Sequence, residues 1–341
     1  MAGQEAKPTV VVLGASGLLG TAVARELATR PVRLRLVGRR APRVPRAGVA
    51  DVETHRADLT TAGAVAEAVE GADAVIHLAA YMTGPNAWRV AGTDSAAERV
   101  NVGTMRALVA AVRAQRRRHA PAVLFSGAMS QCGASAVGRI TSDLPDRPLT
   151  GYDQQKADAE RTLREATREG LTRGATLRLA TLYGQGTDPT DLDRGVVAVM
   201  ARRAFAGQPL TMWDDGTAKR DLLCVDDAAR AFGAALDAVD ALAGRHWLVG
   251  TGQGTSICEL FSEVSRSVAA CTGGAAVPVV SVPPAAHALP TDRLDLVVDP
   301  SAFQSATGWR ARVPLAEGVR RACAAVAGEP GVADRARADR L

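Results

Sequence analysis

Lysine is almost missing from this chain. Of its 41 basic side chains only Lys7, Lys156 and Lys219 are lysines, and tyrosine is confined to Tyr81, Tyr152 and Tyr183. A lysine and a tyrosine at a fixed spacing therefore stand out from chance. The net charge of +5 is carried by arginine on an alanine-rich background. That pattern reflects coding bias, so it does not argue for a nucleic-acid partner. The one dense basic run, Arg116-Arg117-Arg118, falls where a helix should end, where cations suit the carbonyl terminus. The five cysteines, Cys132, Cys224, Cys258, Cys271 and Cys323, are scattered and form no CxxC pair. This excludes a disulfide framework and fits reduced core thiols in the cytoplasm. His55, His77, His119, His246 and His287 have no ligand spacing, so no metal site is expected. No apolar run reaches the ~18 residues of a membrane span. The opening "MAGQEAKP" lacks a signal pattern. A soluble cytoplasmic protein is expected, with no membrane and no nucleic-acid partner.

What is present is alternation. "TVVVLG" (9–14), "VRLRLVG" (32–38), "AVIHLAA" (74–80), "AVLFSG" (122–127) and "ATLRLATLYG" (175–184) read as strands. Between them run helical stretches at 18–30, 61–71, 98–115 and 152–170. Strands alternating with helices imply an α/β fold with a parallel, doubly wound sheet covered on both faces. After Gly184 a loop, a helix at 196–208 and strands at "LTMW" and "KRDLLCVDD" follow, with another helix from 227. This part is interleaved and richer in proline. We expect a nucleotide-binding domain over 8–185 plus about 220–250. A smaller mixed α/β C-terminal cap over 186–219 and 251–327 would bind substrate. The charged tail, 328–341, is expected to fray.

"GASGLLG" places Gly14, Gly17 and Gly20 between the first strand and the first helix. A tight turn and a close pyrophosphate exclude side chains there, and the helix N-terminus offers amide donors. This is a dinucleotide site of the Rossmann type, with Ser16, Leu18 and Leu19 in the turn. A preference for NAD calls for an acid after the second strand. Gly38 is instead followed by Arg39 and Arg40, which can grip a 2′-phosphate. NADPH/NADP+ is the expected cofactor. Asp58, with Leu59, is placed to meet the adenine. Leu78, Ala79 and Ala80 would run past the cofactor. His77 reads as a satisfied core histidine.

Tyr152 and Lys156 are one helical turn apart and share a face. A free phenol ionises near pH 10. A neighbouring ammonium and an oxidised nicotinamide favour its phenolate. Such a tyrosine exchanges a proton with a carbonyl or alcohol while hydride moves.

Together "GASGLLG", "HLAA", "NVGT", "YDQQK" and "RLATLYG" resemble the extended short-chain dehydrogenase/reductases, the NAD-dependent epimerase/dehydratase family. "GQPLTMWDDGTAKRDLLCVDDAARA" (207–231), "LVGTGQGTSICEL" and "GWRARVPLAEGVR" are similar to its nucleotide-sugar members. The resemblance runs over about 8–325. It implies that Tyr152 is the general acid/base and that Lys156 orients the nicotinamide ribose and lowers the Tyr152 pKa. Leu182 would join the cofactor site. Arg220 would pair with a sugar-nucleotide diphosphate, or else with Asp226 or Asp227. Leu210 and Trp213 would pack the base, and Tyr81, Ser130 and Gln131 would face substrate. Asn101 is more often structural than catalytic. Relatives dimerise through two helices, here 96–115 and 152–169, so a homodimer is expected.

The family places a serine or threonine where this chain has Ala128. Residues two apart on a strand share a face, so Ser130, Ser126 or a water would replace that hydroxyl, with Ser130 preferred. Dehydratases of the family follow this position with an Asp-Glu pair; Met129 and Ser130 stand here, which argues against dehydration. "SGAMSQCG" resembles the 4-ketoreductases of actinobacterial deoxysugar and antibiotic pathways. The expected reaction is NADPH-dependent reduction at C4 of a dTDP-4-keto-6-deoxyhexose. The alternatives are a nucleotide-sugar epimerase, a reductase of small carbonyl compounds, and a catalytically impaired NADP(H)-binding protein.

Overall fold

The computed structural model describes residues 7–45, 48–81, 95–136, 138–185, 195–286 and 288–332. Most of the expected loop at 184–195, the start of the expected cap, His287 and most of the tail lie outside them. The strands β1 (Thr9–Leu13), β2 (Arg33–Gly38), β3 (Asp51–Arg56), β4 (Ala74–His77) and β5 (Ala122–Ala128) come first. After the short β6 (Arg139–Ile140) come β7 (Arg173–Leu179), β8 (Thr181–Tyr183), β9 (Leu210–Trp213), β10 (Lys219–Cys224) and β11 (His246–Val249). The last are β12 (Gly254–Ser256), β13 (Val279–Val282) and β14 (Val297–Val298). Seven of them form one sheet in the order β11-β7-β5-β4-β1-β2-β3, and every pairing is parallel.

Burial on both faces explains the apolar runs. In β1, Val10 and Val12 join the core beneath α1 (Leu18–Ala28) and α7 (Val225–Asp237). Val11 and Leu13 point to the opposite core, beneath α2 (Ala64–Ala68), α4 (Thr104–Gln115) and α5 (Gly151–Arg168). β3 lacks this pattern because it is the exposed edge. The chain reverses its winding between β1 and β4, so the carboxyl ends of the central strands open a crevice there.

Three elements differ from their sequence reading. The expected helix over 98–115 is α3 (Ser95–Glu98), a π-helical turn at Arg99–Gly103, then α4. The expected strand 175–184 divides at Ala180: β7 stays in the main sheet, and β8 pairs with β10. The helix expected over 61–71 contracts to α2.

A second core gathers α6 (Val196–Phe205), α9 (Ile257–Thr272) and α11 (Leu315–Ala327) around Tyr183, Leu210 and Leu222. Small sheets border it, β12-β10-β8 and β13-β9, with β14-β6 as a further pair. The helices α8 (Val239–Leu242) and α10 (Ser301–Thr307) complete the described elements. Asp227 of α7 ties down the segment that leads into α11. Its carboxylate accepts from the Arg312 and Val313 amides at 2.8 and 2.9 Å, and its carbonyl from Trp309 Nε1. Among the described residues no helix is long and apolar enough to cross a membrane.

Candidate active site

The turn after β1 is shaped by what it cannot hold. Gly14 has φ +90°, and a Cβ there would lie 2.7 Å from the Ala79 nitrogen. A Cβ on Gly20 would strike the Gly14 carbonyl. The loop, the start of α1 and the segment leaving β4 are therefore in backbone contact. Gly17 caps α1 without a side-chain hydrogen bond, which leaves the first-turn amides to an anion. The cradle fits a dinucleotide pyrophosphate. Leu18, Leu19, Leu78, Ala79 and Ala80 are half-buried around it.

At the end of β2, a Cβ on Gly38 would meet Ser16 Oγ at 2.6 Å. Arg40 Nη2 donates to the Ser16 carbonyl at 2.6 Å, so its guanidinium reaches over the glycine turn. Arg39 is exposed beside it, and its carbonyl accepts from Arg56 Nε. Asp58 closes its own loop: Oδ1 accepts from the Thr60 amide and hydroxyl at 3.0 and 2.7 Å. Those bonds, with the Arg39 charge, hold its carboxyl below the usual range. Leu59 is a core residue rather than a surface for the adenine, packed with Val65 and Leu108.

Thr150 caps α5 through its hydroxyl, which accepts from the Asp153 amide at 3.1 Å. Tyr152 and Lys156 follow on the first turns. Lys156 is 2% exposed, and its ammonium donates to the Ser126 carbonyl at 2.8 Å. It lies 4.8 Å from the Phe125 ring centroid and 5.7 Å from that of Tyr152. Burial lowers its pKa to about 8. Tyr152 moves the opposite way from expectation. Burial first, and then the Asp153 charge, push its phenol above the ordinary value. The chain by itself holds this tyrosine protonated.

His77 is only half satisfied. The Thr104 hydroxyl donates to the Val100 carbonyl at 2.6 Å. It must therefore accept from His77 Nε2, 2.8 Å away. Nδ1 is left without a partner among the described residues. Burial and the nearby Lys156 charge drop the ring pKa to about 3. Asn101 accepts from the Tyr81 amide at 2.8 Å and donates to Gln155 Oε1 at 2.7 Å. That bond places Tyr81, half-buried, at the edge of the site.

The residues expected around the missing hydroxyl are corrected. β5 ends at Ala128, and a 3-10 turn begins at Met129. Ser130 therefore leaves the strand face it was expected to share with Ala128, and its hydroxyl donates to Asp153 Oδ1. Gln131 is fully buried and does not face substrate. Its Oε1 accepts from the Ala128 amide, and its Nε2 donates to Glu160. Glu160 in turn takes two donors from Arg178, whose guanidinium also pairs bidentately with Asp146 at 2.7 Å. Burial works against the Glu160 charge, but His246 and Arg178 outweigh it and hold the carboxyl at about 2. Reading the sequence missed this network. The one signal for it was Glu160 standing a further turn along from Lys156.

In the C-terminal region, Arg220 lies on β10 and donates to the carbonyls of Lys219, Leu294, Thr291 and Asp292 at 2.7–3.3 Å. It clamps the turn at Pro290–Arg293 rather than pairing with Asp226 or Asp227, which bind Arg25 and Arg230. Leu210 is fully buried in the second core and offers no surface to a base. Trp213 and Leu182 are half-buried on β9 and β8. Among the described residues no group of three or more His, Cys, Asp or Glu could hold a metal.

Comparison with known proteins agrees with this geometry. The model of the NAD dependent epimerase/dehydratase family matches residues 10–250. The dTDP-L-rhamnose 4-epimerase of Burkholderia thailandensis is 28% identical over 288 residues, 74% of this chain and 78% of that protein. A 2-alkyl-3-oxoalkanoate reductase of Stenotrophomonas maltophilia is 28% identical over 266 residues, 76% of each chain. MoeE5, solved with UDP-glucuronic acid and NAD, is 26% identical with a TM-score of 0.72, covering 93% of this chain and 98% of its own. With the glycine cradle and the Tyr152–Lys156 pair, these matches make the chain an extended short-chain dehydrogenase/reductase, a member of the NAD-dependent epimerase/dehydratase family.

Proposed function

We propose that this enzyme is an NADPH-dependent ketoreductase acting at C4 of a dTDP-4-keto-6-deoxyhexose. The observation that carries the reading is the Arg39-Arg40 pair at the end of β2, with Arg40 drawn over the glycine turn. Two guanidiniums at the ribose edge suit a 2′-phosphate. A cofactor that is consumed and released fits a reductase better than an enzyme that retains it. With its pyrophosphate held at Gly14–Gly20, the reduced cofactor would supply a hydride from its nicotinamide on the Tyr152–Lys156 side. Tyr152 would give its proton to the oxygen of the former carbonyl, so that the product is an alcohol. Lys156 orients the ribose from its place on Ser126. A cap over 186–219 and 251–327 would hold the nucleotide part, with Trp213 against the base. A homodimer through α4 and α5 belongs to the same reading.

The test is oxidation of NADPH by purified protein with dTDP-4-keto-6-deoxyglucose. No turnover with this or related ketosugars sinks the proposal. Tyr152→Phe should lower kcat by about 10²–10⁴-fold. Arg39→Ala with Arg40→Ala should raise KM for NADPH and leave that for NADH unchanged. A second reading, a nucleotide-sugar 4-epimerase, is favoured by the rhamnose epimerase relative. Interconversion of dTDP- or UDP-sugars without added cofactor would select it. NADPH binding with no oxidation above background in either the wild type or Tyr152→Phe would point to a protein that only binds the cofactor.

A further inference from the structure

We propose that Gln131 is a positioning residue: together with Lys156 it takes the place of a strand where β4 has ended, and so fixes the end of β5 against the Tyr152 helix. The inference rests on Tyr152 being the proton donor.

β5 outruns one of its neighbours. β4 stops at His77, opposite Phe125, whereas β7 accompanies β5 as far as Ala128. The Ala122 amide donates to the Asp73 carbonyl at the start of β4, and the Pro121 carbonyl accepts from the Arg173 amide on the β7 side. Successive residues of a strand turn their backbone groups to opposite edges. The groups of Ser126 and Ala128 therefore face the flank that β4 has left. One further β4 residue there would donate to the Ser126 carbonyl and accept from the Ala128 amide, as parallel pairing requires. The chain goes instead to the glycine turn, where the Ala79 nitrogen would lie 2.7 Å from a Cβ on Gly14. Buried backbone groups need partners, and two side chains supply them. The Lys156 ammonium donates to the Ser126 carbonyl at 2.8 Å. Gln131 Oε1 accepts from the Ala128 amide at 2.9 Å.

Gln131 carries the tie further. Its side chain is fully buried and crosses β5 at Gly127, where a Cβ would lie 2.9 Å from Oε1. Its Nε2 donates to Glu160 Oε2 at 3.0 Å. Glu160 stands one helical turn beyond Lys156 and two beyond Tyr152, and Arg178 of β7 donates to both its oxygens at 2.8 and 2.9 Å. The end of β5 and the first turns of α5 are thus one braced unit. A buried glutamine could serve the core alone. What points beyond packing is where its two bonds lead: to the two elements whose spacing sets how Tyr152 stands to the strand end at Ala128. With no hydroxyl on residue 128 to hold a substrate oxygen, that spacing rests on the brace.

The test uses the full chain, NADPH and dTDP-4-keto-6-deoxyglucose, with amide hydrogen exchange followed across residues 122–131. Gln131→Leu should speed exchange at Ala128 about tenfold. It should lower kcat by about 10–10²-fold and leave KM for NADPH unchanged. Gln131→Glu gives a signature that packing alone would not. The new carboxyl keeps the Ala128 amide but meets Glu160 where Nε2 stood, 3.0 Å away. The charged groups around the pair are Arg164 on α5, Arg178 on β7, His246 on β11 and Asp146 before α5. Two carboxyls so close share one proton, and the arginines favour leaving it on residue 131. While that proton is present the brace is whole. The kcat of Gln131→Glu should therefore approach the wild type at low pH and fall as pH rises, with a midpoint above the ~4.3 of an ordinary glutamate. Unchanged exchange at Ala128 in Gln131→Leu overturns the inference, and so does a wild-type pH profile in Gln131→Glu. Where Gln131→Leu fails to fold, Gln131→Glu decides by the same profile. If the wild type reduces no ketosugar, the functional reading fails, and exchange at Ala128 in the same variants decides for or against the brace.

Discussion

Lys156 stands where an ammonium is poorly solvated, and its chemistry has a thermodynamic consequence. Its folded pKa, about 8, lies below the ordinary 10.5. Below pH 8 the folded state must bury a charge that the unfolded chain keeps in water, and the penalty fades as pH rises from about 8 to 10.5. Lys156→Met should therefore raise the Tm near pH 7, abolish turnover, and lose its advantage by pH 10.5. Glu160 behaves in the opposite sense. Its folded pKa of about 2 lies below the ordinary 4.5. It stabilises fully above 4.5, and that contribution disappears as pH falls toward 2. Glu160→Ala, which leaves Arg178 half compensated, should cost on the order of 3 kcal/mol at neutral pH. In acid melts the variant should show a shallower loss. Tyr152 and Lys156 were legible in the sequence because the chain has so few of either residue. Gln131 was not, since its burial depends on Glu160 and Arg178, which only the folded sheet brings beside it.

At the scale of elements, the stretch after β5 decides what the missing hydroxyl means. An apolar run announces the strand but not its last residue. One residue of extension more or less determines whether Ser130 shares a face with Ala128. The 3-10 turn takes Ser130 to the cap of α5. Thr150→Ala should remove that cap and cost about 1 kcal/mol, measurable as a lower Tm. The helix leading to α4 hides its π turn for a related reason. Its apolar pattern continues through the wider turn, within which Asn101 reaches both Tyr81 and Gln155. Such π turns occur frequently at functional sites.

For the whole molecule, alternating strands and helices made the parallel sheet legible, and the glycine turn located its crevice. The division of 175–184 between two sheets was hidden, because both halves are buried and read as one run. That division also reaches beyond the finished protein. β7 pairs with β5 on one side and with β11 on the other. The residues of β11 leave a ribosome only long after the glycine turn and the Tyr152 helix have been made. Until Val249 is synthesised, a seven-residue strand that the finished fold buries waits with one open edge, a template for pairing with another chain. A fragment ending at residue 185 should aggregate, as seen by light scattering, while one ending at 250 should scatter less. For this fold, the hazardous interval of biosynthesis lies between those two points.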